Sequence, residues 1–380
     1  MDKRIYLLTA ISFVVGMVEL IIGGILNLVA LDLGVSIGQA GLLITIFALV
    51  FGISGPILLF LVGQADRKRV TLIALVIFFI GNIAAVFSTT YSILLVSRVI
   101  SAASGALLTV LCLTLAAHIS KPEYRGRAIG LVVMGISGSI VLGLPIGVSM
   151  GQAYGWRSPF ILIALLAVIL IVGVALFFGK VQSDPPVALK KQLQAIKGKK
   201  VLSGHLTTFF FMAGHFTLYG YLTPFVVSNM GLDGTWITIV YFVYGAAAVT
   251  GGGLAGILAD KFGVRRTLLT VIPLLVVCLL IIPYTSFVLF WFLLVIWGIL
   301  SWAITPPIQS HLVQLSPETS GIQQSLNNAA LHLGIALGTS VGSVVVDRFS
   351  VEQNAVVGAL FVIVSLGTAL VSLKREREVA

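Results

Sequence analysis

Charged residues are scarce in this sequence: they form 9% of its 380 residues, where a soluble domain has about 25%. Hydrophobic residues make up 58% of the chain, above the roughly 45–50% of globular proteins. So few charges cannot cover a surface in contact with water. The composition therefore excludes soluble enzymes, nucleic-acid-binding proteins and disordered proteins. It predicts an all-α protein that crosses a membrane many times.

Cysteine is equally scarce. Cys112 and Cys278 both lie inside apolar runs, so the sequence has neither a disulfide framework nor the spacing of metal ligands. It also lacks a nucleophile–base pair and a phosphate-binding loop at usable spacing. We therefore expect no enzyme activity, no metal site and no bound cofactor.

The N-terminus resembles a signal peptide only in its first residues. Lys3 and Arg4 precede an apolar run, but this run, Ile5–Leu31, is far longer than the roughly 7–15 residues of a signal sequence. It also contains Glu19 near its centre. The segment is predicted to be an uncleaved first membrane helix.

Apolar runs of about 20 residues, the length that a helix needs to cross a bilayer, recur along the chain. Six precede a polar stretch and six follow it, which predicts twelve membrane spans. The runs are Ile5–Leu31, Gly38–Val62, Val70–Phe87, Tyr91–Ile119, Gly126–Gly151, Trp156–Phe178, Val201–Val227, Trp236–Leu258, Thr267–Pro283, Ser286–Leu312, Gly321–Val346 and Ala355–Leu373.

The polar stretch at 179–200 contains six lysines and divides the chain into halves of near-equal size. We predict an N-terminal six-helix bundle at 1–178, a cytoplasmic linker at 179–200 and a C-terminal six-helix bundle at 201–380. Three apolar residues of the linker have helical spacing: Leu189, Leu193 and Ile196. They favour a short surface helix, and a solvated basic connector is the alternative.

The basic residues are distributed unevenly between the two sides of the predicted spans. Of the 23 lysines and arginines, Arg157 and Arg348 lie in loops on one side and Arg98 lies within a span. The other 20 lie in the terminal tails and in the loops on the opposite side. Because cytoplasmic loops carry the excess of basic residues, both termini are predicted to face the cytoplasm. Bases spread over many short loops also argue against a nucleic-acid partner.

The two halves contain matching segments at one offset. Gly63-Gln-Ala-Asp66-Arg67-Lys68-Arg69 matches Gly256-Ile-Leu-Ala-Asp260-Lys-Phe-Gly263-Val-Arg265-Arg266 at an offset of 194 residues, and Gly143 and Gly147 match Gly338 and Gly342 at an offset of 195. Six helices duplicated in parallel form two bundles around a pseudo-two-fold axis, with a cavity between them. This repeat predicts a transporter.

The whole chain resembles the major facilitator superfamily, in its twelve-helix drug:proton antiporter branch. The segment Gly256–Arg266 fits the family's cytoplasmic signature G-x-L-x-D-x-x-G-x-R-R completely, whereas the first-half copy is shorter and lacks the second glycine. Leu95-Val-Ser-Arg98, followed by Gly105, resembles the arginine motif of the fourth helix. The fifth span resembles the glycine-proline antiporter motif through four residues: Gly135, Gly143, Pro145 and Gly147.

Three segments further resemble the bacterial purine base and nucleoside efflux pumps. They are Val18-Glu19-Leu20, Gly214-His215-Phe-Thr-Leu-Tyr219 and Trp297-Gly-Ile-Leu-Ser-Trp302. The resemblance implies that purine bases or nucleosides are the exported solutes and that protons are the coupling ion. It also implies a location in the bacterial cytoplasmic membrane.

Glu19 is the only acid well inside a predicted span, and burial at that depth disfavours its charged form. At helical spacing it shares one small, polar stripe with four residues: Ser12, Gly16, Gly23 and Asn27. We predict that this stripe faces the central cavity and that the two glycines leave room beside the carboxyl group. Glu19 is thus the predicted proton-coupling residue, with a structural carboxyl group as the alternative.

Arg98 is the only base well inside a span, and an arginine keeps its proton. Near Glu19 its charge would stabilise the carboxylate, and moved away it would allow protonation. The family resemblance implies that Arg98 belongs to a proton relay. Packing against backbone carbonyl groups of the first span is the alternative.

The second half supplies neutral polar and aromatic groups, which suit a flat heterocycle with several hydrogen-bonding edges. The predicted substrate-binding residues are Asn27, His215, Tyr219, Trp297, Gln323 and Asn327. The alternative is that the aromatic residues belong to interfacial belts and that His215 only satisfies a contact between helices.

Two loops and one helix are predicted to control gating. Carboxylates beside arginines can pair across the bundles in one state and separate in the other. The predicted gating residues of the two loops are Asp66, Arg67, Arg69, Asp260, Arg265 and Arg266. Pro145, between Gly143 and Gly147, removes a helix hydrogen bond and permits a kink with close helix approach. Ordinary solvated turns are the alternative for the loops.

These features predict a proton-driven exporter of small, neutral or weakly charged planar solutes that works by alternating access. A multidrug or sugar exporter of the same family is the first alternative, and a non-transporting membrane sensor or scaffold is the second. The expected partners are the solute, protons and the lipid bilayer, without nucleic acid. We expect the protein to be a monomer.

Overall fold

The computed structural model describes residues 2–63, 65–179, 181 and 195–374. All regular elements in this part of the chain are helical. The helices of the first half are α1 Arg4–Leu33, α2 Ile37–Leu61, α3 Arg67–Val86, α4 Tyr91–Ile119, α5 Arg125–Tyr154 and α6 Ser158–Phe177. Those of the second half are α7 Lys199–Tyr219, α8 Thr235–Phe262, α9 Val264–Ile281, α10 Phe287–Leu315, α11 Ser320–Arg348 and α12 Gln353–Ser372.

The predicted all-α fold with twelve spans is confirmed, although one span differs from the prediction. Eleven helices of the described chain are long and apolar enough to cross a membrane, and α7 is not among them. This helix carries His205, Thr208 and His215, which lower its hydropathy. It also ends at Tyr219, and a separate short helix, Leu222–Met230, follows it. We call this short helix the α7 extension.

The helix ends follow from local sequence. Gly34 closes α1 with a φ of 62°, a conformation that a side chain disfavours. Ser36 then begins α2, because its hydroxyl group accepts a hydrogen bond from the backbone N–H of Gln39. Asp66 caps α3 in the same way through the N–H of Arg69. Most of the predicted linker, including Leu189 and Leu193 of its predicted surface helix, lies outside the described residues. Ile196 lies in a turn.

The described residues form two compact units. The first lies within Met1–Val187 together with Tyr221–Gly245, and the second lies within Ala188–Gly220 together with Ala246–Ala380. The α7 extension and the start of α8 therefore pack with the first-half helices. The absence of a side chain on Gly41 of α2 permits this close packing, because a β-carbon there would collide with the side chain of Tyr221.

In the first unit α1 is the central helix, and it packs against α2, α4, α5 and α6. Its contact with α5 depends on glycine. A β-carbon on Gly135 would collide with the carbonyl oxygen of Thr9, and one on Gly147 would collide with Ile21. Gly143, the remaining glycine of the predicted antiporter motif, lies against Phe13 and Met17 in the same interface.

In the second unit α7 has the corresponding role, because it packs against α11 and α12. A β-carbon on Gly338 of α11 would collide with the backbone of Ala213. Gly338 is the repeat equivalent of Gly143, so the glycine match between the halves reappears as matching helix contacts. The α7–α12 crossing is closer still, since Gly214 and Gly358 each approach the other's carbonyl oxygen.

One polar cluster ties together three helix ends of the first unit. Asp32, near the end of α1, accepts hydrogen bonds from Trp156 Nε1 at 2.9 Å and from Arg157 Nη1 at 2.8 Å. Arg157 Nη2 donates to the carbonyl oxygen of Ser88, beyond α3, at 2.8 Å. The guanidinium group also lies 4.1 Å from the centre of the Trp156 ring. Arg157 thus has a structural reason to lie on the side that has few basic residues.

Replacing Arg157 by Ala is expected to lower the free energy of unfolding by about 1 kcal/mol. The loss is modest because the side chains of Arg157 and Asp32 are 34% and 46% exposed to solvent. The matched control is Arg348→Ala, which removes another arginine of the same predicted side, exposed at the end of α11. Thermal unfolding in detergent measures the difference. An equal shift in both variants would contradict the assigned role of the cluster.

Candidate functional site

The predicted proton-coupling pair lies within the first unit. Arg98 is 1% exposed on α4, and Glu19 is half-buried on α1. The charge of Glu19 acts on Arg98 electrostatically, so the two groups lie within coulombic reach of each other. The structure therefore brings together the acid and the base that the sequence placed inside spans.

The stripe on α1 is used for packing more than the sequence indicated. A β-carbon on Gly16 would collide with Ser139 Oγ of α5, so the space beside this glycine is filled by a neighbouring helix. The carbonyl oxygen of Gly23 accepts a hydrogen bond of 2.7 Å from Thr223 in the α7 extension. The expectation of open room beside Glu19 is therefore wrong at Gly16, where a neighbouring helix lies in close contact.

Asn27 lies two turns from Glu19 on the same stripe and is half-buried. Its Oδ1 atom is shielded from solvent and has no hydrogen-bond partner among the described residues. A buried amide oxygen without a donor is unfavourable, and a donor on a bound solute would satisfy it. The placement agrees with the predicted binding role, which stays a prediction.

The second unit brings three predicted binding residues into one aromatic cluster. Trp297 Nε1 of α10 donates to His215 Nδ1 of α7 at 3.1 Å. The His215 ring stacks on Tyr219, with ring centres 5.1 Å apart and planes 27° apart. All three side chains are buried. Because an indole N–H only donates, His215 Nδ1 must lack a proton, which places the proton of the neutral ring on Nε2.

Gln323 and Asn327 belong to a different cluster, at the first turns of α11. Gln323 Oε1 accepts from His205 Nε2 at 2.8 Å, and its Nε2 donates to the carbonyl oxygen of Ala195 at 2.9 Å. Asn327 Nδ2 donates to Thr208 Oγ1 at 2.8 Å. Thr208 precedes His215 by two helical turns, or about 10 Å along α7. The structure therefore separates these amides from the aromatic cluster along the helix axis.

The two predicted gating loops differ in structure. Asp66 caps α3, with its carboxylate 3.1 Å from the N–H of Arg69. The backbone N–H of Arg67 donates to the carbonyl oxygen of Val181, which lies beyond the end of α6, at 3.0 Å. Asp260 instead lies in the last turn of α8 and is exposed. Because the first copy lacks residues between its acid and the next helix, Asp66 lies where it caps that helix.

The second loop keeps the full turn. Gly263 has a φ of 86° and separates α8 from α9, a conformation that explains the glycine of this motif. Arg265 and Arg266 follow it at the start of α9 and are exposed. The carboxylate and the arginines are therefore accessible, and their predicted part in gating stays a prediction.

The glycine-proline motif coincides with a local change in helix type. Residues Ser139–Gly143 of α5 form a π-helical turn, and Pro145 follows it as the second residue of the next α-helical segment. A π turn accommodates an extra residue within one turn, and such turns are frequent at functional sites. Pro145 has no N–H to donate, so this position is one where the regular hydrogen-bond ladder must change.

Sequence reasoning missed three residues at these sites. Phe47 of α2 lies beneath the Arg98 guanidinium group, Thr223 bonds the α1 stripe, and His205 holds Gln323. Phe47 is one of 22 phenylalanines in an apolar chain, so nothing in its local pattern distinguishes it. The polar residues Thr223 and His205 within apolar runs were detectable signals.

Two six-helix halves, each with a central helix and each with membrane-embedded polar groups, define a transporter fold. Residues 8–339 match the family model described as Major Facilitator Superfamily. The chain is 35% identical over 369 residues to the uncharacterized MFS-type transporter YbcL of Bacillus subtilis (strain 168), covering 97% of this chain and 95% of that protein. It is 28% identical over 370 residues to the inner membrane transport protein YdhP of Escherichia coli (strain K12), covering 97% and 95%.

A solved structure has the same fold. It is a bacterial homologue of the human lysosomal transporter Spinster in an inward-facing and occupied conformation, with a TM-score of 0.80 at 17% identity, covering 98% of this chain and 97% of that chain. This chain belongs to the major facilitator superfamily. It is a multi-pass membrane transporter, as the resemblance of its motifs predicted.

Proposed function

We propose that this transporter couples the entry of protons to the export of small planar solutes, with purine bases or nucleosides as the substrates. The observation that carries the proposal is the acid–base pair of the first unit, in which the Glu19 charge acts on the buried Arg98. Arg98 stabilises the ionised carboxylate while the two groups are close. Separation of the two removes this stabilisation, and the carboxylate then accepts a proton.

The energy for export comes from the same step. Each proton that enters contributes about 2.3 kcal/mol per 100 mV of membrane potential, plus the pH gradient. Once Glu19 is protonated, the Arg98 charge no longer stabilises it, and the two groups can separate. We infer that solute release favours the same rearrangement as proton binding. The proton is the only coupling ion that the proposal requires, and it needs no other cofactor.

The aromatic cluster of the second unit supports the choice of a planar solute. His215, Tyr219 and Trp297 bring three aromatic rings together in an apolar environment. Aromatic rings of this kind are suited to stacking with a flat heterocycle. The charge of Glu19 is offset by Arg98, which argues against strong binding of a dication. Asn27 would add one amide from the first half.

The orientation and organisation follow from the charge pattern and the repeat. We propose that both termini face the cytoplasm and that the protein lies in the bacterial cytoplasmic membrane. The halves 1–178 and 201–380 would rock against each other around the solute, joined by the linker 179–200. One chain contains both halves, so the monomer would be the transporting unit, without a nucleic-acid partner.

We propose that the loops at Asp66 and Asp260 and the α5 segment Gly143–Gly147 control this rocking. The arginines beside each loop, Arg67 and Arg69 in the first and Arg265 and Arg266 in the second, would pair with carboxylates in one state. The π turn before Pro145 would let α5 bend against α1 as the halves move.

Proteoliposomes that contain the purified protein and a pH-sensitive dye test this function. Hypoxanthine, adenine, guanosine, a lipophilic cation and a sugar are added in turn under an imposed proton gradient. Purine-triggered proton movement, absent from protein-free liposomes, is the expected result. Movement triggered only by the cation or the sugar would keep the coupling and overturn the substrate. No proton movement with any solute would overturn the proposed proton coupling to these solutes.

Replacing Trp297 by Phe is expected to raise the KM for hypoxanthine about fivefold, the worth of roughly one hydrogen bond. The substitution keeps a ring but removes the donor to His215 Nδ1, so the Nε2–H form of the imidazole is no longer enforced. Trp291→Phe is the matched control on the same helix, since Trp291 contacts Phe287 and Phe290 instead. Equal KM values in the two variants would show that the Trp297–His215 hydrogen bond does not contribute to solute binding.

A further inference from the structure

Arg98 occupies an unusual environment for a charged group. Its side chain is 1% exposed, and the Nε, Nη1 and Nη2 atoms are all shielded from solvent without a hydrogen-bond acceptor among the described residues. A guanidinium group carries five N–H donors and keeps its charge. Burying it without acceptors is strongly unfavourable unless another interaction compensates. The neighbours of Arg98 must therefore supply that interaction.

The ring of Phe47 on α2 is such a neighbour. The guanidinium carbon Cζ of Arg98 lies 4.1 Å from the ring centre, well within the range of a cation–π contact. Phe47 is itself 1% exposed, so water does not weaken the attraction. The negative face of the ring thus presents an electron-rich surface to the guanidinium group.

Phe47 is held in place by a second ring. Phe51 lies one turn further along α2 and stacks with Phe47, with ring centres 5.8 Å apart and planes 26° apart. Phe51 in turn lies against Gly105 of α4, where a β-carbon would be 3.6 Å from its ring. The two rings therefore face the stripe of α4 that carries Arg98 and Gly105.

The charged group that acts on Arg98 is Glu19 of α1. Its charge acts on Arg98 although the side chain is half-buried and belongs to another helix. If the ring did not hold the guanidinium group, the cation would turn towards whatever acceptors it reached. The Glu19 carboxylate would then lose the fixed positive charge on which the proposed coupling depends.

We propose that Phe47 is the positioning residue of the coupling pair: its ring holds the Arg98 guanidinium group within reach of Glu19 in place of hydrogen bonds. This inference rests on the proposed proton coupling. Phe47 touches neither the proton nor the solute, and it acts through Arg98. The ring face matters in this role, whereas a packing role would need only the shape of the side chain.

Fluorinated phenylalanines separate these two roles, because each fluorine withdraws electrons from the ring face and changes its shape very little. The series at position 47 runs from phenylalanine through 4-fluoro and 3,5-difluoro to 3,4,5-trifluoro-phenylalanine, incorporated into the full chain. Hypoxanthine-driven proton movement in proteoliposomes is expected to fall stepwise, to about a tenth of the parental rate with the trifluoro ring. The same series at Phe51, which stacks on Phe47 and is the matched control, is expected to leave the rate unchanged.

A second measurement does not require a transported solute. In protein labelled with 15N-arginine, the Arg98 Nε–H resonance is identified as the one lost in Arg98→Lys. We expect it to be shifted upfield by the ring current of Phe47 and to move with each fluorine at 47 but not at 51. Thermal unfolding of every variant checks that the fold is retained, and the fluorinated series remains informative even if Phe47→Leu does not fold.

The outcomes distinguish the two proposals. A flat transport series at 47, together with an unshifted Arg98 resonance, overturns the role of Phe47 while the parent still couples protons to the solute. If the parent moves no protons with hypoxanthine, the proposed function fails. The Arg98 Nε–H resonance then still tests whether the Phe47 ring contacts Arg98. An Arg98 resonance that shifts with fluorination at position 47 supports Phe47 as the residue that positions Arg98. A resonance that does not shift overturns this role.

Discussion

Replacing Glu19 by Gln is expected to reduce solute-driven proton movement by about 100-fold, the upper range of coupling between two sites. Glutamine keeps the size and hydrogen-bonding capacity of the protonated acid but has no proton to release. Exchange of solute across the membrane without a proton gradient is expected to persist, because the aromatic cluster lies on other helices. Proton movement and counterflow in the same proteoliposomes measure the two activities.

The control for this result is Glu318→Gln, the same chemical change at an exposed acid before α11. It is expected to leave both activities unchanged. Parental proton movement in the Glu19 variant would remove Glu19 from the coupling step. Loss of counterflow together with proton movement would show that the residue maintains the fold or the solute site, and that its proton is not the coupling proton.

Replacing Gly358 by Val is expected to prevent formation of a stable second unit. A β-carbon on Gly358 would collide with the carbonyl oxygen of Gly214, and one on Gly214 would collide with that of Gly358. Each obstacle is backbone, so no side chain can rotate away, and the α7–α12 crossing must open. Overpacking of this kind costs about 1–3 kcal/mol or more. Most of the monodisperse protein should be lost in size-exclusion chromatography.

Gly367→Val provides the matched control, because Gly367 lies on the same helix α12 with no atom within 4 Å of an added β-carbon. Both variants exchange glycine for a β-branched residue in a helix, so any difference between them reports the crossing. We expect the Gly367 variant to retain its yield and unfolding temperature. Similar losses in both variants would show that helix propensity, and not the close approach of α7 and α12, limits stability.

Composition and periodicity were sufficient to predict most of the fold. Apolar runs predicted the spans because helices that cross a bilayer must satisfy every backbone group internally, which leaves length and hydropathy as the signal. Tyr91–Ile119 matches α4 at both ends. The glycine pairs predicted the repeat, and their equivalence reappears in the contacts of Gly143 with α1 and of Gly338 with α7.

Other features could not be read from a single segment. The seventh run contains Gly220 and Pro224, which are consistent with the break into two helices there, but the run does not indicate that the second of these helices packs with the first unit. The π turn at Ser139–Gly143 was not predicted either, because Pro145 signals only that the hydrogen-bond ladder changes. The docking of the α7 extension depends on helices that lie far away in the sequence.

The candidate site divides in the same way. The sequence by itself determined that Glu19 and Arg98 lie inside the membrane, because one charge in an apolar run is visible without any partner. Only the tertiary structure decided that Arg98 rests on Phe47, that His215 pairs with Trp297 and that Gln323 pairs with His205. Depth in a membrane is a property of one helix, whereas contact requires the packing of several helices.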